Sequence, residues 1–290
     1  MSAIAREIAS QPGAWALAAA MSGRATGLPA SGEHVAVVGC GTSLYVSRAY
    51  AALRESREHG ASDAFPASEF PHHRRFDRIV AISRSGTTTE ILRLLEDLPP
   101  GSRTLVTADG GSPAAGAADE VVVLDFADER SVVQTVFATS ALALFRAHLG
   151  EDLAAPAADA ERALTGPLPI EPEMVEHVVF LGHGWTVGLA EEGALKLREA
   201  SRTYSEAYPA MEYRHGPISL AGPKSLVWIL GTSDAAVAGD VRATWATVRE
   251  AALDPLAELV LAQRLAVAIA EHKGLDPDHP RHLTRSVVLS

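Results

Sequence analysis

Residues 191–220, EEGALKLREASRTYSEAYPAMEYRHGPISL, bring a lysine, a glutamate and a histidine into one short segment. Lys196 and Glu199 are three residues apart, so on a helix they share a face. His215-Gly216-Pro217 ends the loop that follows. A carboxylate, an ammonium and an imidazole together can move a proton between adjacent carbons of a sugar and protonate its oxygens. On spacing alone, Glu192 with Lys196 and Glu199 with Arg202 also fit the exposed ion pairs of an ordinary helix.

Two further turns have the composition of an anion site. The run HVAVVGC (34–40) enters Gly41-Thr42-Ser43, and DRIVAIS (77–83) enters RSGTTTE. Glycine lets the backbone turn tightly, the first-turn N–H groups of a helix lack partners, and hydroxyls add donors at the positive end of its dipole. Ser83, Ser85, Thr87 and Thr88 could surround a phosphate. Serine and threonine are also common helix N-caps. Two such turns in adjacent units of one sheet favour a ligand, because ligands gather at the carboxyl ends of parallel strands. Arg84, between the two serines, either adds a charge to the phosphate or points into solvent. A dinucleotide is not expected, since Gly39-Cys40-Gly41-Thr42-Ser43-Leu44 lacks the third glycine of the fingerprint and no acid ends the second strand.

The elements that must position these residues read as a doubly wound α/β fold. After an N-terminal amphipathic helix, apolar strands at 34–40, 77–83, 102–108 and 120–126 alternate with helical patterns, the last from about 131 to 149, which indicates a parallel sheet covered on both faces. The Ala/Pro-rich stretch 151–172 combines a helix with a connection, dividing the chain into domains at 1–150 and 173–290. A strand ending in Gly-x-Gly before a helix occurs at Gly39-Cys40-Gly41 and again at Gly182-His183-Gly184, which suggests an internal duplication. The second half reads as abbreviated. After SLVWILG (225–231) only helical patterns follow, ATWATVREAAL among them, and the expected sheet has about three strands.

The 290 residues hold 36 acidic against 25 basic side chains, a net charge of −11. A nucleic-acid role would need a local basic patch, and none stands out. The single cysteine, Cys40, excludes an intrachain disulfide and Cys-based metal frameworks. With no run long enough for a membrane span and no signal peptide, a cytoplasmic protein is expected. No metal is expected at the adjacent His72 and His73, which lack neighbouring carboxylate or cysteine ligands. Trp185 and Trp228 are expected in a core or interface.

The segment from Glu191 to Leu220 resembles the isomerase half of glucosamine-6-phosphate synthase, a member of the sugar isomerase (SIS) domain family, whose pattern reads EGALKLKE, then E-A-Y, then K-H-G-P. GCGTS, ASEF (67–70), SRSGTTTE and DHPRHLTRSVV (278–288) are similar to further landmarks of that family, in the same order. The resemblance implies two sugar isomerase domains and a phosphosugar ligand, with no cofactor. It implies that Ser43, Ser83, Ser85 and Thr88 hold the phosphate and that Thr42 contacts the sugar; Gly41, Arg84, which replaces a glutamine of the family, and Gln134 are expected among the substrate-binding residues. Glu199 matches the catalytic base and Lys196 its neighbouring lysine. His215 matches a ring-opening histidine supplied by a partner subunit, which implies a homodimer with shared active sites.

Three departures qualify the expected reaction. The given sequence begins MSAIAREIASQPGAW, without the glutaminase domain and its cysteine nucleophile, so amination from glutamine is not expected. Arg285 stands where the family has a lysine near the sugar carbonyl. A guanidinium stays protonated and does not readily form a Schiff base, but it can stabilise an enediolate. Gln134 stands where the family has a serine. The expectation is a hexosamine or hexose 6-phosphate isomerase or deaminase working by C1–C2 proton transfer, with simple ketose/aldose isomerisation or deglycation as alternatives. A non-catalytic phosphosugar sensor is the alternative of another class, although only about 33 residues precede the first strand, too few for a helix-turn-helix domain.

Overall fold

The computed structural model describes residues 2–232 and 235–289, which form two compact units. The first spans Gly13–Arg130 and Val136–Leu153 and takes in the tail from Thr284 onward. The second consists of the stretch as far as Pro12, Ser131–Thr135 and Ala154–Leu283. A division at 150 therefore does not describe the compact bodies, because both chain ends and five residues near 131 are exchanged between the sequential halves.

Helix α1 (Ala3–Met21) enters the first unit at Gly13, and there the fully buried Trp15 donates from Nε1 to Thr139 Oγ1 at 2.9 Å. Next come β1 (Val35–Gly39), α2 (Thr42–Ser56), β2 (Ser62–Pro66), β3 (Arg78–Ile82), α3 (Thr89–Asp97), β4 (Arg103–Thr107), α4 (Pro113–Ala117), β5 (Glu120–Val123) and α5 (Val136–His148). The strands form one parallel sheet in the order β2-β1-β3-β4-β5, with Val37 opposite both Ala64 and Val80. Ile91, Leu94 and Leu95 lie on one face of α3 and are buried against Ala36, Val38, Ile79, Ala81 and Leu105. Burial of each such side chain is worth about 1.5–3 kcal/mol. That packing fixes α3 and with it the turn that precedes it. The helix expected from 131 starts only at Val136, since 131–135 is irregular.

The second unit contains α6 (Ala154–Thr165), β6 (His177–Gly182), α7 (Thr186–Ser201), β7 (Tyr204–Pro209), β8 (Ser225–Ile229), α8 (Ala235–Arg242), β9 (Thr247–Glu250) and α9 (Pro255–His272). Its parallel sheet has the order β7-β6-β8-β9, the same succession as the first four strands of the other sheet. Four strands are present among the described residues, against the expected three or so. The segment ATWATVREAAL, expected to be helical, contains β9, whose Arg249 is held by Glu258 through two bonds of 2.9 Å and lies 5.1 Å over the Trp228 ring. Trp228 is fully buried, stacks on Phe180 and donates to Glu258 at 2.9 Å. It belongs to the core. These contacts replace the apolar alternation that a strand usually shows.

The two Gly-x-Gly turns have the same geometry. A Cβ on Gly39 would lie 2.4 Å from the Ser43 backbone, and one on Gly182 would lie 2.5 Å from that of Thr186 and Val187. Only glycine lets each strand end approach the first turn of the helix that follows. No described helix is long and apolar enough to cross a membrane.

Candidate functional site

In the first unit, the turn from β3 to α3 carries four hydroxyls. Ser83 Oγ accepts from the Gly86 amide at 3.2 Å and Ser85 Oγ accepts from the Thr87 amide at 3.2 Å. Thr87 Oγ1 lies 2.9 Å from Ser85 Oγ and 2.9 Å from Ser286 Oγ of the tail, and Ser286 Oγ is 3.4 Å from Thr88 Oγ1. Gly86 has a φ of 59°, and a Cβ there would meet Ser112 Oγ at 1.9 Å, so the turn requires glycine.

Thr88 is the N-cap of α3, yet its side chain makes no capping bond, and at α2 the N-cap is Gly41, again without a side-chain cap. The Thr88 hydroxyl is thus not used as a cap. Thr42 and Ser43 are buried in the first turn of α2. Burial, with the Glu90 carboxylate adding, pushes the intervening Cys40 thiol up to about 11. At neutral pH it is a protonated thiol and no nucleophile.

Arg84 neither reaches into the hydroxyl turn nor points into solvent. It is 1% exposed, donates from Nη2 to the Arg285 carbonyl at 2.6 Å and faces Glu129 at 4.0 Å. Glu129, also buried, accepts from the amides of Val136 and Phe137 at 2.8 and 3.3 Å, the start of α5. The Arg285 guanidinium is bonded to the Asp128 carboxylate and the Glu129 carbonyl. The Arg285–Asp128 pair is partly exposed, the Arg285 side chain to 41%. Gln134 belongs to the second unit, and its Oε1 is buried without a hydrogen-bond partner among the described residues.

In the second unit, α7 carries Glu192, Lys196 and Glu199 along one face. Lys196 is 1% exposed, with its ammonium 3.3 Å from Glu192 and 2.5 Å from Glu199. The expected alternative of an exposed pair does not hold, since Glu192 and Lys196 are both buried. Glu199 bonds Lys196 and keeps about 20% of its side chain exposed, so one end of its carboxylate stays open. A buried ammonium between two carboxylates is attracted to both, which partly offsets the cost of their desolvation. Gly193 lets α7 approach β6, since a Cβ would sit 3.0 Å from the Phe180 ring. His215 is exposed after a single 3-10 turn, and its imidazole has no hydrogen bond or ion pair among the described residues.

The residues not found from sequence are Glu129, Asp128 and Ser286. Of these only Ser286 had a signal, its place beside Arg285 in HLTRSVV.

No protein-family model matches the chain. It is similar to the glutamine–fructose-6-phosphate aminotransferase (isomerizing) of Idiomarina loihiensis, 28% identical over 316 residues, covering 89% of this chain and 52% of that one. The enzyme of the same name from Thermus thermophilus is 28% identical over 322 residues, covering 90% and 53%. The chain thus spans about half the length of the curated relatives it matches. Among solved structures, the glucosamine-6-phosphate deaminase of Thermotoga maritima superposes with a TM-score of 0.82 at 26% identity, covering 99% of this chain and 100% of that one. The C-terminal domain of the glucosamine-fructose-6-phosphate aminotransferase of Francisella tularensis gives 0.82 at 22% identity, covering 96% and 98%. These relatives and structural neighbours are phosphosugar enzymes. The chain shares their fold, two parallel sheets flanked by helices.

Proposed function

We propose that this chain is a phosphosugar isomerase or deaminase that moves a proton between C1 and C2 of a hexosamine 6-phosphate, with one sugar isomerase domain built on each sheet. The observation that carries the reading is the half-open Glu199 carboxylate, held at 2.5 Å by a buried ammonium on α7. Ser43, Ser83, Ser85 and Thr88 hold the phosphate, with N–H groups of the helix starts supplementing them. Glu199 removes the proton at C2 of the open-chain amino aldehyde and returns it to C1, leaving an imine at C2. Water adds to that imine, and the carbinolamine expels ammonia to leave the ketose phosphate. With a hydroxyl at C2 the same transfer ends as aldose–ketose isomerisation.

A panel of hexose and hexosamine 6-phosphates, with ammonia and keto sugar assayed separately, tests this reading. Deamination predicts both products in equal amounts, isomerisation the keto sugar alone. Turnover of none of them would overturn the proposal in favour of a sensor.

Binding should depend on the phosphate. Charge-assisted hydrogen bonds are each worth about 1.5–3 kcal/mol, so Ser85→Ala should weaken sugar-phosphate binding roughly tenfold or more. Calorimetry should show glucosamine 6-phosphate bound and glucosamine not. Equal affinity for the two would contradict a phosphate role for the hydroxyl turn.

His215 is proposed to act from the partner subunit of a homodimer, assisting ring opening. Its imidazole is exposed and makes no hydrogen bond or ion pair among the described residues, which accords with that role. Mixing inactive Glu199→Gln and inactive His215→Ala proteins should then restore part of the activity, because hybrid dimers contain one site with both residues intact. Activity that stays at zero after confirmed subunit exchange rules the shared site out.

A further inference from the structure

We propose that the C-terminal tail is itself part of the phosphate seat, with Ser286 donating its hydroxyl to the phosphoryl group and Arg84 acting as the positioning residue that holds it there. The inference rests on the phosphosugar reading above and refines it.

The tail lies on the β3–α3 turn in a fixed register, anchored on both sides of Ser286. Before it, Arg84 Nη2 donates to the Arg285 carbonyl at 2.6 Å, and the Arg285 side chain is tied to Asp128 and the Glu129 carbonyl. After it, the Thr89 amide donates to the Val287 carbonyl at 3.1 Å, and the Leu289 amide donates to Thr89 Oγ1 at 2.9 Å. Thr89 opens α3, so one of the anchors uses an amide that has no intrahelical partner. Between these anchors Ser286 Oγ has little choice of position. It stands 2.9 Å from Thr87 Oγ1 and 3.4 Å from Thr88 Oγ1, extending the row that begins at Ser85.

A hydroxyl can rotate its proton, so a row of mutually bonded hydroxyls can be redirected onto an anion without moving heavy atoms. Ser85, Thr87, Arg285 and Ser286 line one cavity of about 380 Å³. Asp109, Asp125 and Asp128 also line it, and Asp128 is paired with Arg285. An anion seated there needs hydroxyl donors to offset those carboxylates. Arg84 cannot be one of them, because its guanidinium is buried between Glu129 and the tail carbonyl. What it does is keep the Arg285 carbonyl, and so the next residue, in place.

The test is calorimetry with glucosamine 6-phosphate and with inorganic phosphate on the full chain, comparing wild type, Ser286→Ala, Ser286→Thr, Arg84→Gln and Ser85→Ala. Ser286→Ala should weaken both ligands roughly tenfold, the effect of one charge-assisted donor, and raise KM with kcat nearly unchanged. Ser286→Thr, which keeps the hydroxyl, should bind as wild type. Arg84→Gln should weaken binding to a similar degree and reduce hydrogen-exchange protection of the Thr89 and Leu289 amides. Should Arg84→Gln fail to fold, the Ser286 substitutions still decide the matter. Unchanged binding by Ser286→Ala overturns the inference, and so does tighter binding, which would make Ser286 an occupant that phosphate must displace. If Ser85→Ala loses affinity while Ser286→Ala does not, only this inference falls. If wild type binds neither ligand, the phosphosugar reading falls with it.

Discussion

Replacing Glu199 with glutamine should lower turnover by about 10²- to 10⁴-fold, the usual contribution of a positioned general base, while sugar-phosphate binding changes little. Glutamine has the same shape and can still accept from Lys196 through its amide oxygen, so the helix and the buried ammonium keep their places. It cannot take up the C2 proton. Hydrogen–deuterium exchange at C2 of the bound sugar reads that step directly and should fall with turnover. If the Glu199→Gln protein exchanges the proton as fast as wild type, another group is the base.

Lys196→Met should destabilise the fold by about 3–5 kcal/mol, the cost of removing one member of a buried ion pair. Methionine fills the aliphatic space but leaves Glu192, fully buried, facing Glu199 with no cation between them. Two carboxylates so placed repel, and the buried one must take up a proton or drag water inward. Urea denaturation followed by circular dichroism should show the loss as a lower midpoint with an unchanged slope. Adding Glu192→Gln should recover much of the stability, because the stranded charge is gone. A single Lys196→Met variant as stable as wild type would mean that the lysine bears little of the structural charge balance of α7.

What was legible in the sequence was local or fully buried. VAVVG, HVVFLG and SLVWI announce themselves because both faces of β1, β6 and β8 are covered and their letters are almost all apolar. The hydroxyl turns were legible because strand, glycine, hydroxyls and helix follow one another directly. The strands that were missed, β2, β7 and β9, are all at sheet edges, where SDAFP, YSEAYP and TVRE mix polar and apolar side chains. In β7, for example, Glu206 accepts from Tyr204 and Tyr208 at 3.1 and 3.0 Å, a ladder of polar contacts with no hydrophobic period.

The site was harder to read wherever distant segments meet. Arg84 and the carbonyl it holds are 201 residues apart, and no spacing rule connects them. Arg84 was therefore assigned by its neighbours in the turn, whereas its burial is decided by Glu129 and the tail. The same is true of Glu192, which looks like half of a surface pair until the packing of α7 encloses it.

The indoles give the molecule an optical label for each sheet. Trp15 and Trp228 are both fully buried, one bonded to a threonine hydroxyl in the first unit and the other to a carboxylate beneath a guanidinium in the second. Because excited indole is sensitive to nearby charge, the two environments are spectroscopically different, and phenylalanine at Trp185 and at one of the two buried positions leaves the other as the buried reporter. Trp245, 82% exposed, supplies the solvent reference within the same chain. Emission followed during unfolding can thus tell whether the two sheets melt together or one after the other, without attaching a dye.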